Sequence, residues 1–406
     1  MFADTYRRFR AMRPSVRSLV FIYWIYDFTI GMAGIFVQLF LYQRFSSLEL
    51  NIIATIVFYT GIMFGFCLPG VLATFWRANI KYGFPISFAC LALALLYLAQ
   101  AQDVSHACLA MFFWGFGQGI FWLTVNTFEL LETKPGERDY YSSVLSAGAQ
   151  ILGLAGPACA TLLIWLSGSL LNLGTYTLLF VATPAVYLIG LPFFSGLRGY
   201  VPPRIRVMDL AHYFKDRASR GAHLYVFGKG VQDMVGVIVP QLAMFAILGT
   251  ALKVGIFDTF FAVFSAVCVL ALARIRTNSN RLLIYGLTLS GLALATTLLG
   301  FLFTLSALIA YTATRSLLGP LANVSSHVLD LAVMETGKSD TDFYATMLIR
   351  DFFLWIWRSV GGLLLLLTLY FAGPGQEALS GGLYLSALIF VVTFIGAYLF
   401  LRHKRA

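Results

Sequence analysis

The sequence predicts an all-α polytopic membrane protein, with twelve transmembrane helices arranged as two six-helix bundles. Three observations predict it. First, 59% of the 406 residues are hydrophobic and only 11% are charged, with a mean hydropathy of +0.82, whereas soluble domains hold about 45–50% apolar and about 25% charged residues. Second, the apolar residues run on for about 20 positions at a time, the length a helix needs to cross about 30 Å of hydrocarbon. The alternating pattern of a lipid-facing barrel is absent. Third, a shift of 203 residues lays ETKPGERDYY (132–141) on ETGKSDTDFY (335–344) without a gap, and Tyr82-Gly83 on Tyr285-Gly286. Both matches fall in loops on one side of the membrane, so the second half repeats the first in parallel orientation.

The spans are expected at 18–42, 48–75, 82–100, 106–128, 142–167, 171–194, 221–247, 251–273, 282–300, 304–332, 344–371 and 381–401. They divide the chain into an N-terminal bundle (1–194), a linker (195–220) and a C-terminal bundle (221–406). The net charge of +10 would suit a nucleic-acid ligand, but the basic residues sit at alternate span ends rather than in one patch. Of 28 Lys and Arg, 22 lie in the N-tail, the even-numbered loops and the C-tail. Only Arg44 and Lys253 fall on the other side, and Lys229, Arg315, Arg350 and Arg358 lie within spans. The positive-inside rule then puts both termini in the cytoplasm, in a cell membrane of the bacterial inner-membrane type. The first apolar run is too long for a cleaved signal. No nucleic acid, metal or cofactor is expected. The five cysteines fall inside spans without paired ligand spacing and read as packing residues.

Taken in order, span one carries Tyr23, Asp27, Gly31, Gly34 and Gln38 on one helical stripe. A charge at the bilayer centre costs about 2.5–3.5 kcal/mol on insertion scales, so Asp27 faces protein or water. It either fixes packing or binds a proton, an ion or a polar substrate group. Span four carries Trp114, Gln118, Trp122, Asn126 and Glu129. Gly115, Gly117 and Gly119 beside them permit close helix contact, and Gln118, Trp122 and Asn126 are cavity candidates. The linker places Val207, Leu210, Ala211 and Phe214 at helical spacing opposite charged residues. It is either a short amphipathic helix on the membrane surface or a charged tether.

Span seven repeats the stripe of span one with Tyr225, Lys229, Asp233, Gly236 and Pro240. Lys229 and Asp233, one turn apart, either neutralise each other or exchange that pairing for substrate or for Asp27. Lys253 and Asp258 fall near the outer end of span eight and read as interfacial. Span ten carries Arg315, and His327 and Asp330 at i, i+3, two groups that do not make a metal site. Span eleven carries Arg350, Asp351, Trp355 and Arg358. Trp355 lies between an acid and an arginine, where it can stack on a planar ligand or on the guanidinium.

The 6+6 parallel repeat, the basic central loop and the length resemble the major facilitator superfamily. GVLATFWRANIK (70–81) keeps Gly70, Leu72 and Ala73 of the family's motif after span two, but Thr74 stands where its aspartate belongs. That departure removes the usual cytoplasmic charge latch from the expectation. GLAGP (153–157) is similar to part of the exporters' glycine-proline motif. Arg315 with Gly319 resembles an arginine-glycine spacing more usual in span four. The resemblance identifies no subfamily.

It implies a monomeric secondary transporter that works by alternating access on a small-molecule substrate, with protons as coupling partner. Lys229, Arg315, Arg350 and Arg358 against Asp233 and Asp351 leave a surplus of two positive charges. That surplus favours an anionic or zwitterionic solute. The alternative is a proton-coupled exporter of amphipathic or cationic drugs, with Asp27 as counter-charge. A membrane-embedded enzyme would need clustered His or Asp near one interface, and the five histidines are scattered.

Overall fold

A computed structural model describes residues 9–133, 138–171, 173–204, 217–272, 281–334, 342–373 and 375–404. Among them there are twelve long helices and no strand: α1 Pro14–Phe45, α2 Leu48–Trp76, α3 Gly83–Ala99, α4 Val104–Glu132, α5 Arg138–Trp165, α6 Thr177–Gly190, α7 Arg217–Leu248, α8 Ala251–Leu272, α9 Arg281–Leu302, α10 Leu305–Met334, α11 Asp342–Ala372 and α12 Gln376–Lys404. Eleven of the helical segments are long and apolar enough to cross a membrane. Their surfaces agree with that. Leu294, Phe301 and Tyr370 are 73%, 76% and 81% exposed, a large outward apolar area that water would penalise and lipid does not.

The expected spans lie within or nearly coincide with these helices, with one clear difference. Span six was expected from residue 171, but α6 begins at Thr177. Leu171 and Leu173 are apolar yet lie in the turn after α5. There Ser167 ties the chain back, its carbonyl accepting from Leu173 N at 2.9 Å and its Oγ donating to Gly174 O at 2.6 Å. Hydropathy alone cannot see that turn. The proposed linker helix falls within 205–216, outside the described residues. α7 takes up the last residues assigned to the linker, since it starts at Arg217.

Local chemistry sets the helix ends. Pro14 opens α1, where a missing N–H costs nothing. Ser47 caps α2, its Oγ accepting from Leu50 N at 3.1 Å. The two residues between α1 and α2 turn sharply because Ser46 adopts a left-handed conformation, φ 51°. Asp103 caps α4 outside the membrane, and its hydrogen bonds to the backbone and ring of His106 hold its carboxyl below the usual range.

The halves mirror each other. α1 and α7 start and end at the same offset as the sequence repeat. α1–α6 pack mainly on one another and α7–α12 likewise, and the halves meet along α5–α8 and α2–α11. An even number of helices returns the chain to its starting side, so both chain ends share one surface, here called the terminal face. Within the first half, Gly61 and Gly65 of α2 sit on Phe112 and Phe116 of α4, while Gly115 and Gly119 of α4 sit on Phe58–Phe66. A Cβ at any of the four would collide with backbone. The glycines of span four therefore serve packing, as read.

Candidate functional site

A cavity of about 550 Å³ opens among α7, α8, α9, α10 and α12, and Ala149 and Gly153 of α5 line it from the other half. Of the residues singled out in the sequence, Lys229, Asp233 and Arg315 line it. So does Asp258, which corrects its interfacial reading. It stands two turns into α8, about 10 Å from the helix start at 1.5 Å per residue, deep enough to reach the cavity.

Lys229 and Asp233 do not pair with each other. Lys229 Nζ bonds to Asp330 Oδ2, and Asp330 Oδ1 also accepts from Tyr225 OH at 3.2 Å and lies 3.8 Å from Arg350 Nη2. Asp233 Oδ2 accepts from Arg358 Nη2 at 2.6 Å and Nε at 3.1 Å. Successive turns of α7 point the two side chains at different neighbours, α10 and α11, each with its own counter-charge. The Arg358 guanidinium stacks on Tyr59, 4.7 Å from the ring centroid, and Tyr59 OH donates to Asp233 O at 2.9 Å. Of the two stacking alternatives for Trp355, the guanidinium is taken by Tyr59. Trp355 Nε1 donates to Thr60 Oγ1 at 3.1 Å. Helix α2 thus supplies the stacking partner, and no charge or periodic polar stripe in its sequence marked Tyr59 or Thr60.

Asp258 and Asp330 cancel the expected surplus of positive charge, because the four cations now face four aspartates. What matters is which charges are already spent. Lys229 and Arg350 share Asp330, and Arg358 holds Asp233. Asp351 is buried without an ion pair among the described residues, in the field of Arg350 and Arg358. Arg315 is exposed to the cavity beside Tyr311, with no carboxylate within 4.0 Å among the described residues and Asp258 only at longer range.

The expected first-half residues lie elsewhere. Tyr23, Asp27, Gln118, Trp122 and Asn126 do not line this cavity. Gln118 and Asn126 are buried, and Trp122 packs edge-on against Tyr23 and Tyr26, with centroids 5.8 and 5.7 Å away. Asp27 is half-buried and has no ion-pair partner among the described residues. Lys229, the partner entertained for it, is engaged by Asp330.

His327 and Asp330 had the spacing of a metal pair. Instead they turn to different helices, and no group of three or more His, Cys, Asp and Glu gathers among the described residues. Asp330 faces α7, while His327 reaches across to the first half. There its Nε2 lies 3.3 Å from Glu129 Oε1 and its Nδ1 2.9 Å from Ser142 Oγ. Tyr141 OH donates to the same Glu129 oxygen at 2.9 Å, and in α11 Tyr344 OH donates to Gly70 O of α2 at 3.1 Å. Tyr141 and Tyr344 are the aligned last residues of the two repeat segments. Tyr141 thus serves a contact within the first half, and Tyr344 one between the halves, α11 with α2.

No protein-family profile and no curated protein matches the sequence. Solved structures do. The human organic anion transporter MFSD10 (TETRAN) superposes with a TM-score of 0.67 at 11% identity, covering 95% of this chain and 99% of that one. The E. coli fucose:proton symporter FucP superposes at 0.65 and 12% identity, covering 94% and 97%. Two superpositions over nearly full length, added to the helix count and the pairing of halves, establish that this chain has the major facilitator fold.

Proposed function

We propose that the protein is a secondary transporter that moves a small organic solute with an anionic or zwitterionic group by alternating access, coupled to protons. The two bundles, 1–194 and 221–406, rock about a central site with 195–220 as connector. Both termini face the cytoplasm in this reading, which the distribution of basic residues supports. Arg315 carries the anionic reading. A guanidinium exposed in an intramembrane cavity, with no carboxylate in ion-pair range, is a costly arrangement that an arriving anion relieves. The bidentate fork of arginine matches a carboxylate, phosphate or sulfate. Asp258 in the same cavity suits the positive group of a zwitterion. The likeness to a protein described as an organic anion transporter supports the substrate class, and that to a fucose:proton symporter supports the coupling.

The drug-exporter alternative draws less support, because Asp27 does not line the cavity. The test is a thermal-shift screen of the purified protein against carboxylates, organic phosphates, amino acids and cationic drugs. Counterflow of each labelled hit in liposomes follows. Arg315→Ala is expected to weaken the hit's affinity about 10- to 100-fold, the worth of a lost charged hydrogen bond, and Arg315→Lys by less. Stabilisation by cations alone, or an Arg315→Ala variant that binds the anion normally, would sink the reading.

A further inference from the structure

Near the terminal face, one contact between the halves includes a carboxylate that anion binding does not use. Glu129, in the last turn of α4, is fully buried. Its Oε1 takes the Tyr141 hydroxyl and faces His327 Nε2, while its Oε2 is buried with no hydrogen-bond partner among the described residues. His327 comes from the other half, and both its ring nitrogens are engaged by first-half residues, Glu129 of α4 and Ser142 of α5.

A buried carboxylate is costly unless its charge is balanced. Among the described residues the cation in ion-pair range of Glu129 is His327, and only in its protonated form. The other charged and titratable groups that face the pair are Tyr23 and Asp27 of α1, Tyr141 of α5, Lys229 of α7 and Asp330 of α10. Asp330 is already met by Lys229 and Arg350.

We propose that Glu129 and His327 form a proton-binding site shared between the two halves, filled while the terminal face is closed and emptied when it opens. In its purpose the site rests on the transport reading: it would be where the coupling proton is held. The sign follows from the geometry. Opening takes the carboxylate away from the imidazole, so the closed form holds the proton more tightly. Raising the pH through the window between the two affinities therefore opens the face. Below the window both forms are protonated and the dependence vanishes. Lower still, protonation of Glu129 removes the charge balance. By reciprocity, whatever opens the terminal face releases the proton there.

The test needs no substrate. Spin labels at Arg77→Cys and Arg402→Cys, exposed positions at the terminal-face ends of α2 and α12, are placed in the full chain freed of its native cysteines. Distance distributions are recorded in detergent from about pH 5 to about pH 9, the range in which an imidazole titrates. The ratio of open to closed distances is expected to rise by up to about tenfold per pH unit, the limit for one linked proton. Glu129→Gln and His327→Gln should flatten that response, and His327→Arg should flatten it with the short distance retained. A pH-independent distribution in the labelled parent overturns the proposal by itself, even if a variant fails to fold. So does a folded His327→Gln chain with the parent's response. Opening that depends on pH without counterflow would retire the transport function and leave the proton site. Counterflow with a flat response would do the reverse.

Discussion

Arg358 and Asp233 show how single residues were half legible. Their types and depth in the apolar spans marked them as interior charges, because lipid excludes charge from everywhere else. Their partners were not legible, because a helical wheel fixes which residues share a face but not toward which neighbour that face turns. Lys229 and Asp233 share a stripe and still serve different helices. Removing one member of such a pair strands the other, typically at 3–5 kcal/mol. Asp233 borders the cavity and can be partly rehydrated, so Arg358→Ala should destabilise by about 3 kcal/mol. The double variant with Asp233→Ala should recover part of that in a denaturation cycle, and strictly additive losses would mean the ion pair is idle. Asp27 offers a second residue-level expectation. It is half-buried in α1, with no ion-pair partner among the described residues. Asp27→Asn should abolish accumulation driven by a pH gradient while sparing equilibrium exchange of the same solute. Normal accumulation by the variant would reduce Asp27 to packing.

At the level of elements, start and stop were readable because hydropathy and capping are local properties. Ser47, Asp103 and Pro14 mark helix starts by their chemistry alone. Replacing Ser47 by Ala should cost about 1 kcal/mol, the usual worth of an N-cap, seen as a lower melting temperature with binding unchanged. The contact of α2 with α4 is more demanding. Gly115→Ala would drive a methyl into the Phe58 carbonyl, and overpacking of this kind costs about 1–3 kcal/mol. If Gly115→Ala melts like the parent, the two helices do not approach as closely as described. The turn after α5 was missed for the opposite reason. Leu171 and Leu173 satisfy a hydropathy window, while the bonds that end the helix run through Ser167, several residues back.

For the whole molecule, the repeat was the most informative signal, because two matches at one shift predict how all twelve helices are related. Electrostatic bookkeeping at this scale was misleading. Counting only some of the acids left two surplus cations, whereas Asp258 and Asp330 balance them, and the anionic reading rests instead on the one arginine whose geometry leaves it open. Reporter fusions at either end should report a cytoplasmic location, and a far-side location for either terminus would refute the assigned orientation. The lengths of α1 and α7 carry a further consequence. Each has 32 residues, about 48 Å of helix against about 30 Å of hydrocarbon, so each must lean in the bilayer or stand proud of it. Hydrophobic mismatch on these two elements falls equally on both halves, since they occupy the same place in the repeat and touch each other. On the proposed transport reading, bilayer thickness would act as a mechanical load on the rocking motion, and solute exchange measured in vesicles of graded acyl-chain length should pass through a maximum at an intermediate thickness.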